Sequence, residues 1–234
     1  MASPWEFGDK FMVDFELQRK NMVESQVRPS DITDRRIMRA LQALPREAFA
    51  ADDTRAIAYM DQDLPVGPAG SGMRRRAILS PRVLARLLQT LEIEPGDRVL
   101  EIGTATGYGA AAMAHMAKTV VALECDAALA AHARSLLAGQ SITNVDVVLG
   151  PLAAGWPAEA PYAAILVAGA VPEIPPALLD QLQDGGRLAA VQSVGGAGRV
   201  MQWRRFGSRY PSRQIGDAGA RALPGFDQPR GFSF

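Results

Sequence analysis

The segment Val99-Leu100-Glu101-Ile102-Gly103-Thr104-Ala105-Thr106-Gly107-Tyr108-Gly109 decides the fold. A short apolar run, Arg98 to Ile102, leads straight into a glycine turn, and the stretch from Tyr108 to Ala117 then suits a helix. Gly103 and Gly107 let the backbone turn tightly and approach a ligand with no Cβ in the way. Working outward, Thr119 to Glu124, Asp146 to Leu149, Ala163 to Val167 and Arg187 to Val191 read as strands, with a helix over Ala127 to Gly139. Short β-branched runs alternating with helices predict an α/β fold. Its sheet should be doubly wound and mostly parallel, with ligands at the carboxyl ends of the strands. Val200 to Phe206 and Phe232 to Phe234 suit antiparallel edge strands.

Ahead of this unit, Phe15 to Val27 reads as a helix that stops before Pro29. A second helix follows, with Thr33 as N-cap, Ile32 and Ile37 placed as a hydrophobic staple, and Ile37, Met38, Leu41 and Leu44 as its apolar stripe, ended by Pro45. These two helices are expected to form a cover. Residues 61 to 76 are rich in Gly and Pro and are read as a long loop, a common place for substrate contacts. Ser80-Pro81 starts another helix, with Ser as N-cap and Pro at the first helical position, and Leu84, Leu87, Leu88 and Leu91 line one of its faces. Residues 1–11 are read as a leader outside the domain, with Met12 as a candidate start, so that 12–234 forms a single domain.

Nearly half of the 234 residues are hydrophobic, enough for one sizeable core. Basic and acidic residues number 25 each, so no overall field gathers nucleic acid and no acidic tail solvates the chain. No apolar stretch reaches the roughly 20 residues of a membrane span, and the N-terminus lacks the pattern of a secretory signal; a cytoplasmic location is expected. Cys125 is the single cysteine and His115 and His132 the two histidines. An internal disulfide is therefore impossible, and no metal site is expected.

A dinucleotide fingerprint needs glycine two and five residues after Gly103, where Ala105 and Tyr108 stand, which argues against a bound pyrophosphate. Glu124 ends the next strand, about 20 residues after that glycine, where an acid can accept hydrogen bonds from both hydroxyls of a ribose. Glu101, the glycine turn and Glu124 together suit a nucleoside with a cationic amino-acid tail, and S-adenosylmethionine is such a ligand. The plainer alternative is a glycine turn of the kind common in α/β proteins, with two glutamates that merely cap strand ends.

The chain resembles the protein-L-isoaspartate O-methyltransferase family over about residues 12 to 234. The resemblance is carried by Asn21 to Arg28, Leu44 to Phe49, Pro95 to Thr104, Gly155-Trp156-Pro157, Pro161-Tyr162, Ala177 to Leu182 and Gly185 to Leu188. It implies a seven-stranded Rossmann-like methyltransferase sheet with an N-terminal helical cover. The implied activity is methyl transfer from S-adenosylmethionine to the carboxylate of isoaspartyl residues in damaged proteins, with neither nucleic acid nor membrane as partner. The motif and the resemblance nominate Glu101, Gly103, Thr104, Ala105 and Gly107 for the cofactor. Tyr108, Glu124, Cys125, Pro151 and Leu152 are nominated with them, and Ser80 is the candidate catalytic residue.

Three positions depart from the family pattern. In Ala77-Ile78-Leu79-Ser80-Pro81, Leu79 stands where the family has a serine near the reacting groups, and Ser80 is also explained as an N-cap. Pro151 replaces an acid that would accept from the adenine amino group, and Ala163 replaces an aspartate. Two other functions therefore stay open: the same chemistry on a different acceptor, and a catalytically silent cofactor-binding paralogue. Arg74, Arg75 and Arg76 read either as a clamp for an acidic substrate or, more commonly, as a solvated charge run. His115 and His132 are expected at the surface or in satisfied core positions. Cys125 is expected to line the ribose pocket or to be a small buried hydrophobe, and Trp156 is expected to anchor packing.

Overall fold

The computed structural model describes residues 14–67, 76–194 and 196–226. The candidate leader, Arg74, Arg75 and the segment 232–234 lie outside them. A seven-stranded sheet dominates, built from β3 (Arg98–Ile102), β4 (Thr119–Glu124), β5 (Val145–Leu149), β6 (Tyr162–Val171), β7 (Leu182–Val194), β8 (Ala197–Arg204) and β9 (Ser212–Asp217). Their order is β5-β4-β3-β6-β7-β8-β9, parallel from β5 through β7 and antiparallel at β8 and β9. The expected α/β architecture with an antiparallel edge is what forms. A two-stranded ladder, β1 (Leu64–Pro65) with β2 (Ala77–Ile78), stands apart from it.

The central strands bury both faces, and period-2 alternation sorts their residues between two cores. Val99, Val120, Ala122 and Leu166 enter one core together with the N-terminal cover. Leu100, Ile102, Val121, Leu123 and Ile165 enter the other, with Leu178, Trp203 and Leu223. The cover consists of α1 (Phe15–Met22), α2 (Arg35–Ala43) and the short α3 (Arg46–Phe49), and it joins the first core through Met22, Ile37, Leu41 and Phe49. Helix α4 (Pro81–Leu91) buries Leu84, Leu87, Leu88 and Leu91, each stabilising by about 2 kcal/mol. Its C-terminal carbonyls are satisfied from the sheet: Arg187 Nε donates to Leu91 at 2.7 Å and Gln202 Nε2 to Thr90 at 2.5 Å. Helices α5 (Tyr108–Ala114), α6 (Ala127–Gly139) and α7 (Pro176–Leu179) complete the layers.

Several local expectations shift. The first helix does not end before Pro29; it widens into a π turn over Val23–Val27 and tightens into a 3-10 turn, Arg28–Ser30, that contains the proline. Asp34, not Thr33, caps α2: its carboxylate accepts from the Arg36 N–H at 2.8 Å, while the Thr33 hydroxyl turns to Gln89 Oε1 at 3.4 Å. Ile32 and Ile37 are both buried in the first core, although the moved cap removes their staple positions. Part of the expected loop from 61 to 76 is strand β1. Among the described residues no helix is long and apolar enough to cross a membrane, and no cluster of three or more His, Cys, Asp or Glu could hold a metal.

Candidate functional site

Strand β3 lies between β4 and β6, so the chain leaves its carboxyl end toward one side and later returns on the other. That reversal opens a crevice at the strand ends. The bend after β3 is stitched to β4, since the N–H groups of Gly103 and Thr104 both donate to the Leu123 carbonyl, at 2.8 and 3.2 Å. Gly103 and Gly107 take φ of +84° and +92°, values that favour glycine. Ala105 also adopts a left-handed φ of 53°, which costs about 1–2 kcal/mol for a residue with a Cβ. That conformation aims the Ala105 N–H at Glu124 Oε2, 2.9 Å away, a charge-assisted bond that offsets the cost.

Glu124 ends β4 fully buried and is surrounded by donors. Besides Ala105, the N–H groups of Cys125 and Asp126 donate to Oε1 at 2.9 and 3.2 Å. The fourth partner is the Arg76 guanidinium, whose Nη1 lies 2.6 Å from Oε1. Arg76 is 5% exposed, so it is neither a solvated charge nor an open clamp for substrate. Its Nη2 lies 2.9 Å from where a Cβ on Gly103 would stand, and Leu223 Cδ2 lies equally close. A cavity of about 10 Å³ remains among Asp63, Arg76, Leu79, Ala168 and Leu223.

Glu101 lies elsewhere than in the open crevice. Its carboxylate accepts from Thr104 Oγ1 at 2.5 Å and tucks beneath the start of α5, where a Cβ on Gly109 would fall 1.9 Å from Oε1. Burial pushes its pKa up to about 7, while bonds from Thr104 and the Ala110 N–H pull the other way. Glu101 and Thr104 thus shape the bend from within, in place of the direct contact with an amino-acid tail expected from sequence.

The remaining nominated residues divide. Tyr108 is buried against the cover, edge-on to Phe49 at 5.5 Å with the Arg46 guanidinium 4.9 Å from its ring centre, so its side chain serves packing. Leu152 belongs to the second core, and Pro151 is exposed at the start of a 3-10 turn. Cys125 is exposed at the rim, its thiol raised by partial burial and by Glu124. Ser80 Oγ accepts from the Val83 N–H at 3.4 Å, the geometry of a cap, and the Ser80 N–H donates to Asp63 Oδ1 at 2.8 Å. His115 and His132 are exposed. Trp156 packs on the second core, where its N–H and carbonyl are held by Gln181 and Tyr162.

Sequence reasoning missed Asp63, Leu223 and Arg46. Asp63 Oδ2 accepts from the Arg221 N–H at 2.8 Å, which joins the start of α4 to the C-terminal segment. That segment pairs with the end of β6 through Ala170 and places Leu223 over Gly103 and Gly169. Arg46 is fully buried and donates to the carbonyls of Ala58 and Leu79 at 2.7 and 2.8 Å. Its place in Leu44-Pro45-Arg46-Glu47-Ala48-Phe49, flanked by apolar anchors, was the available signal.

The family model for protein-L-isoaspartate(D-aspartate) O-methyltransferase matches residues 17–209. The chain belongs to this family. A protein-L-isoaspartate O-methyltransferase of Methanoculleus marisnigri is 43% identical over 173 residues, covering 74% of this chain and 76% of the relative. One from Methylorubrum extorquens is 41% identical over 199 residues, covering 85% and 84%. The fold matches as well: a solved protein-L-isoaspartate O-methyltransferase superposes with a TM-score of 0.78 at 24% identity, over 89% of this chain and 67% of that one. A Plasmodium falciparum candidate of the same family, solved with S-adenosyl-L-homocysteine, gives 0.73 at 17% identity, over 90% and 98%. The Rossmann-like methyltransferase sheet expected from sequence is therefore the family's own.

Proposed function

We propose that the chain, as one domain over 12–234, transfers a methyl group from S-adenosylmethionine to the carboxylate of isoaspartyl residues in proteins. The observation that carries this reading is the buried Glu124 carboxylate at the switch point of the sheet, beside a bend of positive-φ residues, in a chain that belongs to this family. The residue set fits a sulfonium nucleoside: Glu124 would hold the ribose hydroxyls, and the Gly103 bend would lie against the amino-acid tail. The room for it is held by the chain's own Arg76 and Leu223.

When bound, the cofactor supplies an electrophilic methyl. The acceptor carboxylate, with an ordinary pKa near 4, is already ionised at neutral pH and needs no general base. The protein's task is then to position the acceptor and exclude water. Ser80 Oγ accepts the Val83 N–H as a cap, and an acceptor that is already ionised requires no proton transfer from it.

The test is incubation with labelled S-adenosylmethionine and paired peptides that differ only in isoaspartate against aspartate. Label in the isoaspartyl peptide alone is expected, and transfer to neither refutes the reading. Leu79 and Pro151, which replace two polar positions of the family pattern, favour a second reading, a cofactor-binding chain without turnover. Cofactor binding without transfer to any carboxylate would select it.

A further inference from the structure

Resting on the cofactor reading above, we propose that Arg76 and Leu223 are resident occupants of the nucleoside crevice, so that the Arg76–Glu124 pair and a bound sulfonium nucleoside exclude each other. Glu124 is crowded with donors. A carboxylate has about four lone-pair sites, and besides the Cys125 thiol at 3.5 Å four N–H donors point at it. Three are backbone N–H groups of the bend and of the β4–α6 junction, fixed by the fold. The fourth, Arg76 Nη1, sits on a side chain and can leave. Oε1 takes three of these N–H bonds and Oε2 one, so a ribose hydroxyl reaches Oε1 only where the guanidinium now stands.

Space is taken as well. Gly103 and Gly169 each lack a Cβ on the face that lines the crevice, and the chain itself fills what they open. An ideal Cβ on Gly169 would lie 2.6 Å from Leu223 Cγ, and one on Gly103 2.9 Å from both Leu223 Cδ2 and Arg76 Nη2. The cavity left against Arg76 and Leu223 is about 10 Å³, room for about one water.

The occupant is imperfectly held. Arg76 Nη2 is buried with no hydrogen-bond partner among the described residues, so the guanidinium loses hydration on that side without compensation from them. Leu223 is anchored by backbone bonds to Ala170 and by the Asp63–Arg221 contact, a short attachment that a ligand can displace. The crevice thus carries a tethered competitor that lowers apparent cofactor affinity until it is moved aside.

The experiment is titration calorimetry of S-adenosylhomocysteine into the full chain and its Arg76→Gln, Leu223→Ala and doubly substituted variants, with near-ultraviolet circular dichroism as the folding control. Arg76→Gln removes the charge and should lower Kd by at least about tenfold, the worth of one charge-assisted hydrogen bond. Leu223→Ala leaves the ion pair intact and should lower Kd roughly threefold by relieving part of the obstruction; it carries the test alone if the arginine variant does not fold. Unchanged or weaker binding in every folded variant, with the parent chain still binding, overturns the proposal and leaves the cofactor reading standing. No binding by the parent or the double variant overturns both.

Discussion

Glu101→Gln separates a carboxyl buried for structural reasons from one exposed to ligand. The Glu101 pKa is raised from 4.5 to about 7, chiefly by burial. Between those values the folded chain keeps a proton that the unfolded chain has released. Stability is therefore full below pH 4.5 and falls as pH rises through 7, by at most about 1.4 kcal/mol per pH unit and roughly 3 kcal/mol in all. Glutamine fills the same volume and can still meet Thr104 and the Ala110 N–H, yet it does not titrate. Urea unfolding followed by circular dichroism at pH 5, 6, 7 and 8 should show the variant close to the parent at pH 5. At pH 8 it should be more stable by up to about 3 kcal/mol, with unchanged denaturant dependence. Parallel stability profiles for the two chains would refute the placement of a desolvated carboxyl under α5.

Gly109→Ala should destabilise by about 1–3 kcal/mol, because its Cβ would meet Glu101 Oε1 at 1.9 Å; an unchanged melting temperature would contradict that packing. Gln181→Ala removes two 2.8 Å bonds to the carbonyls of Ala154 and Ala177 and one from the Trp156 N–H. A loss of about 2–4 kcal/mol in chemical denaturation is expected, and one under 0.5 kcal/mol would show those groups rehydrate freely. Ser80→Ala should cost about 1 kcal/mol of stability as a lost cap while methyl transfer stays within roughly threefold. A hundredfold fall in kcat with an unaltered melting temperature would make Ser80 catalytic after all.

The parts of the fold legible in sequence are those in which local pattern and tertiary demand agree. Arg98 to Ile102 followed by Gly103 states a strand and a tight turn in a few letters, and Asp126 caps α6 at its expected boundary through two N–H groups. Neighbouring cap formers are harder to separate: Thr33 and Asp34 both suit the role, and the Thr33 hydroxyl is drawn to Gln89, 56 positions away. Strand β9 is almost wholly exposed at the sheet edge, so no apolar alternation announces it. At the site, Glu124 was readable because an acid at the end of that strand has a local meaning. Its partner Arg76 was not, because three successive arginines look alike until the fold carries one of them across 48 positions into the interior. Tyr108 sits in the motif by sequence yet turns to the cover, since the first turn of α5 faces Phe49.

Asp63 couples residues that are 158 positions apart in the chain. During synthesis the parallel part of the sheet, β5 through β7, is complete in sequence at Val194, before Arg221 is made, so the strand ends are formed early and walled late. A nascent chain that has passed β7 but not Arg221 would have Glu124 already paired with Arg76 while the Gly103 bend still lacked Leu223 over it.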